Sequence, residues 1–312
     1  MLKQVQHDGQ KAADGDRVML GIAMRLLAVL LLATLSALIK LAEARGATLV
    51  EIMFWRQGAA IPVVLGYMAI TDRSLGAIRS NAFRGQAIRA TIGVTGMAFN
   101  FGAVLLLPLA EATTLAFTVP IFATILGALV LKEPTGWHRW GAVAAGFAGV
   151  LIVTQPGSGH VPLAGAAVGL TSSVFVAIVA IQLRQIGKVD RPVTTVFWFS
   201  TLSMIPLVLL YPFFALSHDV GTFAILAAMG LFGGLGQIAF TAALKHAPVS
   251  AVMPMDYSSL IWATLYGYAL FGMLPTPWTW IGAPVIIASG LYIVWRERRV
   301  ARHPQVSEAI AD

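Results

Sequence analysis

The sequence of 312 residues contains no cysteine, and only 11% of its residues are charged. Without cysteine there is no disulfide framework, which excludes small disulfide-stapled secreted domains. Soluble domains carry about 25% charged residues, so a chain this long with so few cannot cover a soluble surface. The six histidines lie apart in tails and connectors, so no metal site, catalytic triad or cofactor is expected. A nucleotide-binding loop is also missing, since the glycines of 230–236 lack a preceding strand and a lysine.

What the sequence has in abundance is apolar residues, at 58% with a mean hydropathy of +0.80. A helix needs roughly 20 mostly apolar residues to cross a bilayer. These runs are apolar at successive positions and do not alternate as the strands of a barrel would. We therefore predict an all-α integral membrane protein with ten transmembrane helices, at about 19–41, 48–70, 89–108, 111–131, 139–155, 163–183, 192–214, 221–244, 249–272 and 278–295.

The basic residues give the predicted orientation. With ten spans, all but three of the 21 lysines and arginines fall on one side, the exceptions being Lys40, Arg45 and Arg56. The positive-inside rule then places both termini in the cytoplasm, as an N-terminal tail of residues 1–18 and a C-terminal tail of residues 296–312. The N-terminal tail has no apolar core typical of a removable signal peptide. The net charge of +7 thus reports topology, and no nucleic-acid partner is expected.

An internal repeat divides the chain. Eight residues recur without a gap 141 positions later: Pro134, Thr135, Trp137, Gly141, Ala142, Gly149, Ile152 and Val153 match Pro275, Thr276, Trp278, Gly282, Ala283, Gly290, Ile293 and Val294. We predict two five-helix repeats, 19–155 and 163–295. Because five is odd, the second repeat is inverted in the membrane. Inverted repeats are typical of secondary transporters, which bind substrate near mid-membrane. A scaffold formed by gene duplication is the alternative.

The repeat resembles the EamA-type repeat of the drug/metabolite transporter superfamily over residues 20–296. The resemblance is carried by Ala110, Glu111, Ala112, Pro120, Glu133, Pro134, Trp140 and Gly141 in the first copy, and by Ala247, Pro248, Val249, Ser250, Pro254, Asp256, Tyr257, Trp262, Ala263, Pro275 and Gly282 in the second. It implies a ten-helix carrier of the bacterial inner membrane. Many members export amino acids or related metabolites, and the branch that this sequence most resembles is the YddG-type amino-acid exporters.

Three charged residues lie clearly within the predicted spans: Glu51, Arg56 and Asp256. Arg25, just inside the first span, is counted with the basic residues of the cytoplasmic side, and other charges lie at span ends. Charges inside a membrane usually face a cavity and a partner. Arg56 and Asp256 approach the middle from opposite sides, so we expect them to pair directly or to flank the substrate path. The alternative is that Glu51 and Arg56 pair on their own helix.

Polar and aromatic residues cluster in the fourth and ninth spans. Prolines Pro120 and Pro254 interrupt both, and kinked helices in matching repeats mark a transporter's site, so both are predicted hinges. The predicted cavity-lining residues, beside Arg56 and Asp256, are Phe99, Asn100, Thr114, Phe117, Thr118, Gln237, Tyr257, Ser259 and Trp262. For Asn100 and Gln237, a hydrogen bond between two helices is an equal alternative.

These features favour a secondary transporter that exports small zwitterionic metabolites by alternating access around a central cavity. Amino acids, aromatic or aliphatic, are the expected substrates. The alternative substrate is a nucleoside, vitamin or S-adenosyl compound. An intramembrane lipid enzyme and an assembly partner are the other classes considered. The expected partners are the substrate and the lipid bilayer. We expect a monomer or homodimer, in which small residues of the fifth and tenth spans serve internal packing or a dimer interface.

Overall fold

The computed structural model describes residues 2–71, 78–130, 132, 136–157, 161–247 and 252–302. Glu133, Pro134, Thr135, the stretch 248–250 and the tail residues 303–312, all used above, lie outside them. The described part is helical: α1 (Leu2–Ala44), α2 (Leu49–Thr71), α3 (Phe83–Leu106), α4 (Leu109–Ala116), α5 (Val119–Leu129), α6 (Trp137–Thr154), α7 (Leu163–Ile186), α8 (Pro192–Phe214), α9 (Val220–His246), a 3₁₀ helix (Met253–Ser258), α10 (Ser259–Phe271) and α11 (Pro277–Arg302).

Eight stretches of these described helices are long and apolar enough to cross a membrane: Val18–Ala44, Leu49–Ile70, Phe83–Leu106, Leu109–Leu129, Leu163–Leu183, Val193–Phe214, Val220–His246 and Pro277–Arg296. The chain is thus an all-helical, multi-pass membrane protein. The predicted fifth and ninth spans are not among the eight. The fifth corresponds to α6, whose 18 residues open with the polar pair His138 and Arg139. The ninth is divided into a six-residue 3₁₀ helix and the 13-residue α10.

A glycine and local hydrogen bonds determine where the first span ends and where the second begins. Gly46 has a φ of +87°, which glycine adopts without strain, and the Ala47 amide donates to the Ala42 carbonyl at 3.0 Å. Two residues later, Thr48 and Glu51 form a capping box. The Thr48 amide donates to the Glu51 carboxylate at 2.8 Å, and the Glu51 amide donates to the Thr48 hydroxyl at 3.3 Å. These bonds satisfy backbone groups that a membrane would leave without water.

The chain forms two compact units, and each combines segments of both sequence repeats. The first unit contains Met1–Ser80 and Arg191–Trp262. In it, α9 packs along α1 and α2, and α2 also packs along α8. Glycines of α9 permit the close approach, since a Cβ at Gly230 would lie 2.1 Å from the Ala59 Cβ and 2.9 Å from the Trp55 carbonyl oxygen.

The second unit contains Asn81–Asp190 and Ala263–Asp312, and its main helix pairs are α6 with α11 and α3 with α7. The Ser289 hydroxyl donates to the Ala142 carbonyl at 2.6 Å, while Gly149 faces Gly282. This register shows that α6 and α11, the equivalent helices of the two repeats, run antiparallel. The small residues of this seam are buried within the unit. Of the two roles considered for them, they therefore serve internal packing.

The predicted fourth span is interrupted between α4 and α5, directly before Pro120. Proline has no amide hydrogen to continue a helix, so carbonyls of the preceding turn need other donors. The Leu115 carbonyl accepts the Thr118 hydroxyl at 2.6 Å and the Ser173 hydroxyl of α7 at 3.1 Å. The break is therefore built into the packing of the second unit, and the role of Pro120 as a moving hinge stays a prediction.

Candidate functional site

A partly buried ion pair joins α1 to the 3₁₀ helix inside the first unit. Both the Nε and an Nη of Arg25 donate to the Asp256 carboxylate, each at 2.5 Å. Two parallel bonds of this kind are the strongest way to pair arginine with a carboxylate. The Arg25 side chain is 7% exposed and the Asp256 side chain 33%. The pair therefore combines a desolvated cation with an acid that is still partly accessible.

Two further features complete the surroundings of Arg25. Its guanidinium carbon lies 4.1 Å from the centroid of the Phe240 ring of α9, a cation–π contact. Its second Nη, Nη1, is buried and has no hydrogen-bond partner among the described residues. A guanidinium has five N–H groups, so the site keeps a donor that an anionic ligand would satisfy.

The predicted direct pairing of Asp256 with Arg56 is wrong, because Arg25 holds the carboxylate. Arg25 and Asp256 both lie about two helical turns inside the predicted cytoplasmic ends of their spans, and this equal depth brings them together. Arg56 is buried on α2, where its Nη1 donates to the Gln57 side-chain oxygen. A Cβ at Gly233 of α9 would lie 3.4 Å from the Arg56 Nε, so this glycine leaves space for the guanidinium.

The alternative pairing, Glu51 with Arg56, is also absent. Glu51 is fully buried, and its Oε1 accepts the Leu216 amide and contacts the His218 Nε2, each at 2.9 Å. Its other oxygen accepts the Thr48 amide described above. All of these donors lie in the connectors directly before α2 and between α8 and α9. The carboxylate is therefore structural, tying the connector after α8 to the start of α2.

The predicted cavity-lining residues of the second unit differ in their burial and in their contacts. Thr114 and Thr118 are fully buried, and their hydroxyls bond to carbonyls of their own segment. Phe117 is buried as well. Phe99 stacks on Phe175 of α7, with ring centroids 5.5 Å apart. Asn100 is half-buried and makes no side-chain hydrogen bond to another described residue, so lining a cavity stays a prediction for it.

The predicted residues of the first unit lie on α9 and on the broken ninth helix. Pro254 is the second residue of the 3₁₀ helix that contains Asp256 and Tyr257. Ser259 begins α10, and Trp262 lies one turn further along. Gln237 is half-buried on α9, one turn before Phe240. The 3₁₀ geometry thus places Asp256 on a segment where the regular helix has not yet started.

Sequence reasoning missed Arg25, Phe240 and His218. Arg25 was counted only as a topology charge near the cytoplasmic end of the first span. Its depth, equal to that of Asp256 from the same side, was the signal that could have found it. His218 lies in a connector, and no sequence pattern linked it to Glu51.

The helical fold and the eight candidate spans define a polytopic membrane protein, in which a charge pair joins α1 to the 3₁₀ helix of the first unit. Residues 19–155 and 163–295 each match the EamA-like transporter family, and the chain belongs to this family of the drug/metabolite transporter superfamily. A chain of known crystal structure shares the fold, with a TM-score of 0.61 over 91% of this chain and 99% of its own, at 16% identity.

Curated relatives include transporters with different substrates. The chain is 28% identical to a riboflavin transporter of Vibrio cholerae, over 80% of this chain and 84% of that protein. It is 29% identical to a riboflavin transporter of Rhizobium johnstonii, with coverages of 80% and 82%. It is also 28% identical to the pseudopaline exporter CntI of Pseudomonas aeruginosa, with coverages of 85% and 93%. These similarities identify a membrane transporter rather than an enzyme.

Proposed function

We propose that this transporter is a secondary carrier that exports small zwitterionic metabolites, with aromatic or aliphatic amino acids as its substrates. The Arg25–Asp256 pair is the observation that carries the proposal. A zwitterion brings one carboxylate and one ammonium group, so it can bind the guanidinium and the Asp256 carboxylate together. An unpaired charge inside a protein is costly, and a zwitterion leaves neither member of the pair uncompensated.

The surroundings of the pair support the same substrate class. The Arg25 Nη1 is a buried donor for a carboxylate oxygen, and Phe240 lies beside the guanidinium as an apolar surface for a side chain. The exporter CntI gives a related precedent for outward transport. Alternating access between two inverted repeats is the mechanism proposed, with Pro120 and Pro254 as hinges and Arg56 flanking the path.

The topology proposed with this mechanism has ten spans and both termini in the cytoplasm. We assign α6 and the broken helix Met253–Phe271 as the two additional spans. Six 3₁₀ residues at about 2.0 Å and 13 α-helical residues at about 1.5 Å give roughly 31 Å, enough for the hydrocarbon core. The chain has no cysteine, so single cysteines at positions 5 and 305 can be labelled cleanly. Labelling of either from the outside of intact cells would contradict the topology.

Flux measurements in proteoliposomes test the substrate class. Vesicles that contain the purified protein are loaded with labelled phenylalanine or leucine, and efflux is compared with that from protein-free vesicles. We expect saturable efflux of the amino acid. The alternative, uptake of a vitamin, is favoured by the two riboflavin transporters among the relatives. Riboflavin flux without any amino-acid flux would therefore replace the proposal with that alternative.

A further inference from the structure

The bidentate geometry of Arg25 and Asp256 shows that the two side chains can neutralise each other without any ligand. Two N–H groups of the guanidinium are bonded to the two oxygens of the carboxylate, so each group is the counter-ion of the other. The site is then electrically neutral when empty. It is also neutral with a zwitterion bound, because the two ligand charges replace the two protein charges as partners.

A carrier must change its conformation once with substrate and once without it to complete a cycle of net transport. A carrier whose empty site holds an unpaired charge cannot make the second change easily, because that charge must leave water while the site is closed. Such a carrier is restricted to exchanging one substrate molecule for another. The neutral empty site of this protein removes that restriction.

We infer that Arg25 and Asp256 neutralise each other in the empty transporter, so that it performs net transport rather than obligate exchange, and that the charge of its substrate is set by this pair. The inference rests on the proposed function for its substrate class. We therefore expect the transported ligand to be one that, when bound, gives the site a net charge of zero. Removing one member of the pair should therefore change both the mode of transport and the preferred ligand.

Measuring two modes of transport in proteoliposomes tests whether the transporter performs net transport rather than obligate exchange. Net efflux is measured into substrate-free medium, and exchange is measured with unlabelled substrate outside. We expect wild-type net efflux at a rate of the same order as exchange. Wild-type protein that exchanges substrate but shows no net efflux would overturn the inference, and this result does not depend on the folding of any variant.

The variant D256N leaves Arg25 as a lone cation in the empty site. Its net efflux of phenylalanine should fall on the order of 100-fold, since an uncompensated charge in a span costs about two decades in an equilibrium constant. The deaminated analogue 3-phenylpropionate neutralises the lone arginine, so D256N should exchange this carboxylate faster than wild type does. R25Q should behave in the opposite way and prefer phenethylamine, which has an ammonium group and no carboxylate.

The exposed pair Arg45 and Asp219 offers matched controls. The Arg45 Nη1 lies 4.0 Å from the Asp219 Oδ2, and the side chains of Arg45 and Asp219 are 46% and 69% exposed. R45Q and D219N remove the same charges at a solvated position, and asparagine can still cap α9. Both should retain wild-type net efflux and ligand preference. D256N with unchanged net efflux and unchanged preference would overturn the inference.

Failure of the proposed function gives a different result. Wild-type protein that moves riboflavin but no amino acid rejects the zwitterionic substrate. Comparing net efflux with exchange of riboflavin would still test whether the empty transporter can change its conformation, because that step contains no substrate.

Discussion

The two units of the molecule each contain a fully buried glutamate at the start of a helix, and the two residues use their carboxylates differently. In the first unit, Glu51 accepts the amide of Leu216; in the second unit, Glu111 accepts the amide of Thr276 at 3.1 Å. Each glutamate precedes its partner by 165 residues. The same kind of bond thus fixes the segment before α9 in one unit and the start of α11 in the other.

The difference lies in the second carboxylate oxygen. Both oxygens of Glu51 accept hydrogen bonds, one of them from Thr48 in its own capping box. In Glu111, Oε1 accepts both the Thr276 amide and the Thr279 hydroxyl, while Oε2 is buried without a partner among the described residues. An unsatisfied buried oxygen lowers the net stabilisation that a carboxylate provides. We therefore expect the two glutamates to contribute unequally to stability.

Alanine substitution of each glutamate in turn should show the largest difference between their contributions to stability. E51A should lower the free energy of unfolding by about 4 kcal/mol and E111A by about 2 kcal/mol, because a buried donor left without its acceptor costs about 1–3 kcal/mol and Glu51 serves more donors. Thermal unfolding of the protein in detergent measures the order of the two variants.

Glu43, exposed near the end of α1, provides the control for these alanine variants. E43A should unfold close to the wild-type temperature, since exposed substitutions rarely change stability by more than about 0.5 kcal/mol. If E111A proves less stable than E51A, the count of satisfied donors does not determine the contribution of these glutamates.

The sequence allowed prediction of the membrane class, of the eight long apolar helices among the described residues and of the transporter family, because those follow from hydrophobic runs and repeated residues along the chain. The antiparallel seam of α6 and α11 was also within reach, since its small residues are part of the repeat. The partners of the buried charges were harder to predict. Asp256 and Arg56 were expected to pair directly or to flank the substrate path, and Glu51 was considered as a partner of the same arginine, because only charge and depth within a span are visible in a sequence.

The partners of the buried charges depend on which helices pack together, and this tertiary packing does not follow from hydropathy. Arg25 meets Asp256 because α1 packs against the 3₁₀ helix, and Glu51 meets His218 because the connector after α8 folds over the start of α2. The break of the ninth span at Asp256 was suggested by Pro254, yet its 3₁₀ form depends on local backbone bonds. Asp256 was therefore singled out from the sequence, whereas its pairing with Arg25 was not.

Glutamine substitutions provide a smaller and more selective test of the two glutamates. A glutamine keeps one carbonyl oxygen and replaces the other oxygen by an NH₂ group. In E111Q the amide can place its oxygen at the satisfied position and its NH₂ group at the position of Oε2, where no described donor opposes it. In E51Q either orientation brings the NH₂ group against a backbone amide, that of Thr48 or that of Leu216.

We therefore expect E51Q to lose about 2 kcal/mol of unfolding free energy and E111Q less than about 1 kcal/mol, since one orientation of the side-chain amide in E111Q keeps both acceptor bonds. The same thermal unfolding assay, with wild type and E43A alongside, separates the variants. Equal losses in E51Q and E111Q would mean that Oε2 of Glu111 accepts a hydrogen bond in the membrane. The carboxylates of Glu51 and Glu111 would then be hydrogen-bonded to the same extent in the two units.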